Sequence, residues 1–344
     1  MSGTQKALFI ESKQGPLKLG RRSIPIPGPG QLLVRVEAAG LNPADWKIQK
    51  YGLILETYPA IVGSDIAGVV ESVAEGVNGF TQGDRVFFAG AWGGDKAGFQ
   101  QYALAEAKNT AKIPPQLSFE EGAAIPVALA TALIGLYLPK PYGMGLLSPL
   151  DSVNRGRYAG KPLVIIGGAT SVGQYVIQSA KLSGFSPIIA TASLKHSEYL
   201  RSIGATHVLD RNLDNATIAA EISKIFPSPI EIIFDTVSSP DTQETGYSLL
   251  SPGGTIAVLL PNSVTPVEGK EIINVVGLLT LPFSCDLGLQ LYSQLEELLD
   301  AGSIKPLKVE VVPGGLNGVP KGLAKLEADK VSGVKLVVQP QETV

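Results

Sequence analysis

The run Leu163 to Gly173, LVIIGGATSVG, passes from an apolar strand through small residues and directly into a helix. Alone such a fingerprint also suits a purely structural turn, but with strand, turn, helix and next strand all in place it points to a doubly wound parallel sheet. Gly167 and Gly168 permit a tight turn with close backbone approach, and Ser171 and Val172 present N–H groups. The helix N-terminus adds partial positive charge, so a pyrophosphate is expected here. Gly173 lets the helix pack close, while Thr170 stands where the usual G-x-G-x-x-G pattern has its middle glycine. The surrounding grammar agrees. Ile188 to Ala190, His207 to Leu209, Ile232 to Phe234 and Thr255 to Leu260 read as further strands, with a helix from Ser197 to Ile203 between the first two. Val172, Val176, Ile177 and Ala180 lay one buried stripe on the first helix, and Gly184 and Gly204 are expected as left-handed caps.

The turn therefore predicts a dinucleotide site, and the next strand indicates which dinucleotide. About twenty residues after Gly173, where a carboxylate would bind the ribose 2′-hydroxyl of NAD, the sequence reads Thr191-Ala192-Ser193-Leu194-Lys195, without an acid. Ser193 and Lys195, joined by Arg211 after the third strand, can instead bind a 2′-phosphate, which favours NADPH over NADH. The competing reading leaves Lys195 and Arg211 as solvated surface charges.

The first 115 residues follow a different pattern. Leu32 to Glu37, Ser64 to Val73 and Asp84 to Ala89 are short β-rich runs bounded by Gly and Pro turns, which predicts a partly closed β-barrel. Ser118 with Glu121 reads as a capping box, and Val127 to Tyr137 is an apolar helical segment. Leu289 to Leu299 is amphipathic, and strands at Lys308 to Val312 and Val334 to Val338 return the chain to the first domain. Leu138 to Lys161 is too long for an ordinary connection, and a functional lid and a disordered insertion both remain open.

Composition narrows the function. With 28 basic and 31 acidic residues among 344, the net charge of −3 offers no field for nucleic acid or an anionic membrane surface. Cys285, His196 and His207 are the only residues of their types, so an intrachain disulfide is excluded and Cys/His zinc sites of three or four ligands are almost excluded. Met1 to Gly15 has no signal-peptide pattern and no window approaches 18 uninterrupted apolar residues, so the expected location is cytoplasmic and no membrane partner is expected.

Four stretches carry a family resemblance: Ala38 to Lys47 (AAGLNPADWK), Pro59 to Gly68 (PAIVGSDIAG), Gly79 to Val86 (GFTQGDRV) and the fingerprint GGATSVGQYVIQSAKLSG. They resemble the zinc-independent medium-chain dehydrogenases/reductases of the quinone reductase and enoyl reductase branch. The fingerprint and the 138–161 stretch look most like fungal trans-acting enoyl reductases of polyketide pathways. The resemblance implies a GroES-like catalytic domain from residues 1–126 and 290–344, a Rossmann domain over 127–289, and an active site in the cleft. Zinc-dependent relatives hold a Cys and a His where Asn42 and Ser64 stand, and the four-cysteine lobe is missing. No metal is expected: a carboxylate-only site near Asp45, Asp65 and Glu71 is the alternative, against a simpler reading of Asp65 and Glu71 as strand-end and turn residues.

Without a Lewis acid, hydride transfer to an already activated acceptor needs mainly positioning and a proton source. The expected reaction is hydride transfer from NADPH to the β-carbon of an enone, enal or enoyl substrate, or to a quinone. Zinc-free aldehyde reduction is the alternative, and a low-turnover NADPH-binding or nucleic-acid-binding role is an alternative of another class. By resemblance, Lys47 is a candidate to contact the nicotinamide ribose and assist proton delivery, with an ordinary surface lysine as the competing reading. Tyr51 lies one residue from a proton-donor position, and Asn42 binds a carbonyl or the ribose or else makes a turn. Thr131 fixes the carboxamide, while Thr236, Leu259 and Leu260 sit at strand ends near the ribose and nicotinamide. Trp92, Phe99 and Tyr142 are candidate apolar substrate contacts, and His196 and His207 receive no catalytic role. The strand around Ile272 to Leu279 is expected at the sheet edge, in a monomer or a homodimer.

Overall fold

A computed structural model describes residues 3–344, in two units that follow the two grammars of the sequence. The first unit comprises Met1–Val127, Leu295–Asp300 and Pro306–Val344. It opens with strands β1 (Thr4–Ile10), β2 (Leu17–Ser23) and β3 (Gln31–Gly40), then helix α1 (Pro43–Tyr51) and strands β4 (Ala60–Ile61), β5 (Asp65–Val73), β6 (Arg85–Ala89), β7 (Tyr102–Glu106) and β8 (Thr110–Lys112). A short helix α2 (Phe119–Gly122) follows, its N-terminus closed by Ser118, which accepts from Glu121 N–H, and by Glu121 in return. Strand β3 organises the barrel. One of its edges pairs antiparallel with β5, and the other is shared, its first half with β7 and its last residues with a strand from the C-terminal region. Alternating residues of the paired strands, among them Leu32, Val34, Val36, Ile66 and Val70, fill the interior with no exposure.

Helix α3 (Pro126–Tyr137) leads into the second unit, Ala128–Gln294 with Ala301–Lys305. The run Phe119–Tyr137 is long and apolar enough to cross a membrane, with mean hydropathy 1.5, yet 78% of it is buried within the protein. Core packing accounts for its apolarity. The unit continues through β9 (Leu163–Ile166), α4 (Ser171–Ser183), β10 (Ile188–Ala192), α5 (Ser197–Ile203), β11 (His207–Asp210), α6 (Asn215–Ile225), β12 (Ile230–Asp235), α7 (Pro240–Leu249), β13 (Leu250–Val258), β14 (Glu271–Asn274) and the first part of α8 (Cys285–Asp300), up to Gln294. The six strands pair in parallel in the order β11-β10-β9-β12-β13-β14. The strand order reverses between β9 and β12, which makes the C-terminal end of β9 the topological switch point where ligands of such sheets bind. Helix caps follow the sequence signals: Thr170, Asp214 and Ser239 accept from the N3 amides of their helices, and Gly184 ends α4 in the left-handed region. Gly204 ends α5 at φ 132, outside the left-handed well expected of it.

The return to the barrel is less simple than a single crossing at residue 290. The chain re-enters the first unit at Leu295, contributes Ala301–Lys305 to the second, and re-enters at Pro306. It then adds β15 (Val309–Val311), α9 (Val319–Glu327) and β16 (Lys335–Val338), the last pairing antiparallel with the end of β3.

The 138–161 stretch is ordered by backbone pairing to its neighbours. Met144 N–H and Leu146 N–H bond back to the Gly135 and Leu136 carbonyls of α3, and Met144 and Leu150 are buried. Farther along, Gly156 and Tyr158 N–H groups satisfy the Leu182 and Ser183 carbonyls at the end of α4, and the Tyr158 ring stacks on Phe185 at 4.6 Å. Backbone pairing thus makes this stretch a strap across α3 and the end of α4, which the Gly/Pro composition alone did not reveal.

Candidate functional site

In the second unit the site is the turn after β9. Gly167 has φ +83, and a Cβ there would lie 2.5 Å from Val237 Cγ2, while one at Gly168 would lie 2.7 Å from Ala190 Cβ. A Cβ at Gly173 would run into the Gly167 carbonyl oxygen. Side-chain packing thus excludes a Cβ at Gly167 and Gly168, and backbone excludes one at Gly173. Thr170 does more than replace a glycine. Its hydroxyl oxygen accepts from Gly173 N–H at 2.9 Å and its proton goes to Thr236 Oγ1 at 2.8 Å. Thr236 Oγ1 in turn lies 2.8 Å from the Ile166 carbonyl oxygen and 2.9 Å from that of Gly167. Thr170, Thr236 and Gly173 N–H are committed to bracing the turn. Ser171 and Val172 head the helix, where N–H groups precede any intrahelical carbonyl, and these are the ones available to an anion.

The neighbouring strand ends hold the charges. Ala192 is paired with Asp210 across β10 and β11, and Arg211 N–H donates to the Ala192 carbonyl at 3.0 Å. Ser193, Lys195 and Arg211 are thereby gathered at one end of the sheet, Lys195 on a single 3₁₀ turn, Leu194–His196. Asp210 accepts from Asn212 N–H at 3.0 Å within its own turn. His207 opens β11, its Nδ1 2.9 Å from Thr206 Oγ1. Leu259 and Leu260 come just after β13, which ends at Val258, instead of ending it. Leu259 is held by a network that sequence reasoning missed: its N–H donates to Ser238 Oγ at 2.7 Å, and Ser238 Oγ–H donates to the Asp235 carbonyl. Asp235 Oδ1 accepts from the Val237 and Ser238 amides, and burial holds this carboxyl above its ordinary range. Thr131 is buried on α3 against Gly277, whose missing side chain makes room for the Thr131 hydroxyl. These features fit a dinucleotide: a turn packed too closely for side chains at Gly167, Gly168 and Gly173, amides at a helix start, and cations at the adjacent strand ends.

In the first unit the polar residues converge on the start of α1. Asn42 is the N-cap residue, and its N–H donates to Asp45 Oδ2 at 2.8 Å. Asn42 Nδ2 donates to Asp65 Oδ2 at 2.8 Å, while Lys335 Nζ donates to Asn42 Oδ1 at 2.6 Å and lies 2.7 Å from Asp65 Oδ2. Asp65 Oδ1 accepts from Val127 N–H at 2.7 Å. The Asp65 and Lys335 side chains are 0% and 3% exposed, so this is a true interior ion pair. Reading Asp65 as a strand-end residue is therefore incomplete, because it anchors the cluster. Asp45 Oδ1 accepts from Gly63 N–H at 3.2 Å. Burial raises the Asp45 carboxyl to about 7, against the opposing pull of the Asn42 amide and the Lys335 charge. The carboxylate oxygens are thus spoken for, and among the described residues no three His, Cys, Asp or Glu side chains group together.

Lys47 and Tyr51 lie four apart on α1, on one face. Half-burial lowers the Lys47 ammonium below its usual range, partly offset by Asp329, and Nζ sits 5.5 Å from the Trp46 ring centroid. Tyr51 is 51% exposed and packs tilted against Trp46. Of the aromatic candidates, Phe99 is in the barrel core with no exposure and cannot meet a substrate. Trp92 packs against that core, and Tyr142 stacks on Phe283 at 4.0 Å.

Fold and site together define an oxidoreductase of the dehydrogenase class. Residues 28–115 match the alcohol dehydrogenase GroES-like domain and residues 171–267 the zinc-binding dehydrogenase model. The chain is 32% identical to a trans-enoyl reductase of Aspergillus flavipes, over 98% of this chain and 99% of the relative. It is 40% identical to a trans-enoyl reductase of Aspergillus terreus, over 61% of this chain and 69% of that one. A mycobacterial protein solved in complex with NADPH shares the fold with TM-score 0.77 at 22% identity, covering 98% of this chain and 100% of that one. The chain belongs to the medium-chain dehydrogenase/reductase family, in the branch of the fungal trans-enoyl reductases.

Proposed function

We propose that this protein is an NADPH-dependent reductase of activated C=C bonds, in an enone, enal or enoyl substrate or a quinone, working without a metal. The full-length similarity to a trans-enoyl reductase carries the reading. The acid-free strand end with Ser193, Lys195 and Arg211 supports the phosphorylated cofactor. Bound NADPH supplies the hydride. The amides of Ser171 and Val172 hold the pyrophosphate, and Lys195 and Arg211 hold the 2′-phosphate. Thr131 lies on the helix assigned to the carboxamide, and Leu259 and Leu260 form the apolar wall beside it. Lys47, with its lowered ammonium, contacts the ribose and hands on a proton. Tyr51 is a second donor, free enough to move.

A zinc ion has no place in this reading. Asn42 and Ser64 offer neither thiolate nor imidazole, and Asp45 and Asp65 are already bonded to backbone amides, Asn42 and Lys335.

The test is NADPH and NADH oxidation by the purified protein with a panel of enones, enals, quinones and saturated aldehydes. NADPH consumption with activated alkenes or quinones, and a saturated aldehyde as the product from an enal, is expected. An allylic alcohol from the enal would make the protein a carbonyl reductase instead. NADPH binding with no turnover of any acceptor would overturn the enzymatic reading.

A further inference from the structure

We infer that Lys335 is a positioning residue for this reduction: its ammonium locks the Asn42 carboxamide in one orientation and strengthens the amide N–H left over. The inference rests on the reading above for its catalytic consequence, while the lock itself rests on geometry alone. Lys335 and Asn42 are 293 positions apart in sequence and 2.6 Å apart in space. An ammonium can only donate and a carboxylate can only accept. Lys335 Nζ and Asp65 Oδ2, 2.7 Å apart, meet the Asn42 carboxamide side by side, so Oδ1 must face the lysine and Nδ2 the aspartate. Rotating the amide by half a turn would set NH₂ against NH₃⁺ and oxygen against carboxylate. Both bonds would be lost at groups that are almost fully buried.

One Nδ2 hydrogen is taken by Asp65. The second has no partner within the described chain, and Asn42 keeps a little exposure, 7%. A cation held on Oδ1 draws electron density from the amide, which makes that remaining N–H a stronger donor. The chemistry asks for such a donor. When hydride adds to the β-carbon, the C=C π pair shifts toward the carbonyl, negative charge collects on its oxygen as an enolate, and the α-carbon then takes a proton. A fixed N–H aimed at that oxygen favours the charge as it develops. Asn42 is thus the donor, and Lys335 acts through it without touching the substrate.

The experiment is a paired swap, Lys335→Met with Asp65→Asn, which removes both charges and leaves no unpaired ion in the interior. The Asn42 side-chain NH₂ resonances, identified by their loss in Asn42→Ala, should be protected from solvent exchange in the unaltered protein and exposed in the swap. Equal protection in both would overturn the lock. In kinetics, the swap should lower kcat for an enone roughly tenfold with KM for NADPH unchanged, as expected for the loss of one charge-assisted bond made in the transition state. Lys335→Arg should retain most of the rate. In an Asn42→Ala background the swap should cost nothing more, and an undiminished second loss there would show that Lys335 does not act through Asn42. Should the unaltered protein reduce no enone or quinone, the proposed function falls, and the exchange measurement still decides the lock.

Discussion

Lys195 and Arg211 are the residues whose removal should read out cofactor choice most directly. Each charge-assisted bond to a phosphate contributes about 1.5–3 kcal/mol, so Lys195→Ala should raise KM for NADPH roughly tenfold or more while leaving KM for NADH unchanged. Equal effects on both cofactors would return Lys195 to the solvated surface. Asp45 gives a prediction with a sign. Its carboxyl titrates near 7 in the folded protein and near 3.9 when unfolded. Between those values the folded state binds more protons, so Asp45's contribution to stability is present at low pH and lost as pH rises from about 4 to 7. The Tm of Asp45→Asn should rise relative to that of the unaltered protein across that window, and a constant difference would rule the titration out. At this scale the sequence was only partly legible. The glycine turn and the acid-free strand end were readable because their chemistry is local. Lys335 was not, although a lysine inside the apolar run Val334 to Val338 was a signal that the residue needed an interior partner. That partner, Asp65, is remote in sequence, and no spacing rule connects the two.

Elements carry the second set of outcomes. Gly173→Ala pushes a methyl into the Gly167 carbonyl oxygen, and backbone cannot step aside cheaply. A cost of about 1–3 kcal/mol is expected, with NADPH binding weakened because the turn itself must open. Calorimetry on NADPH binding would detect both, and unchanged affinity would argue that the turn does not hold the pyrophosphate. The strap predicts the opposite pattern. Tyr158 accepts from Leu147 N–H and stacks on Phe185, so Tyr158→Ala should lower stability by about 1–2 kcal/mol and leave kcat untouched. A fall in kcat at constant stability would restore the lid. Strands and helices of the second unit were legible because period and caps agree along LVIIGGATSVG and its neighbours. The strap was not, since its order comes from backbone bonds to α3 and α4 that its own residues do not encode.

For the whole molecule, near-balanced charge is the controlling quantity. A net charge of −3 gives no counterion-release term for a polyanion, so retention on heparin or DNA is expected to be negligible at ordinary ionic strength, and salt-sensitive retention would reopen a nucleic-acid role. The barrel was foreseen as made from both parts of the chain, but the double crossing at Leu295 to Pro306 was not, because nothing in an amphipathic helix announces that its two ends serve different cores. The late arrival of β16 bears on how the protein is made. Asn42 and Asp65 leave the ribosome long before Lys335, at a synthesis rate of roughly 5–20 residues per second. For many seconds the growing polypeptide holds a carboxylate whose counter-charge has yet to be translated. The sheet unit, whose last residue is Lys305, can mature in that interval, whereas the barrel must stay open or hydrated around Asp65 until its last strand is delivered.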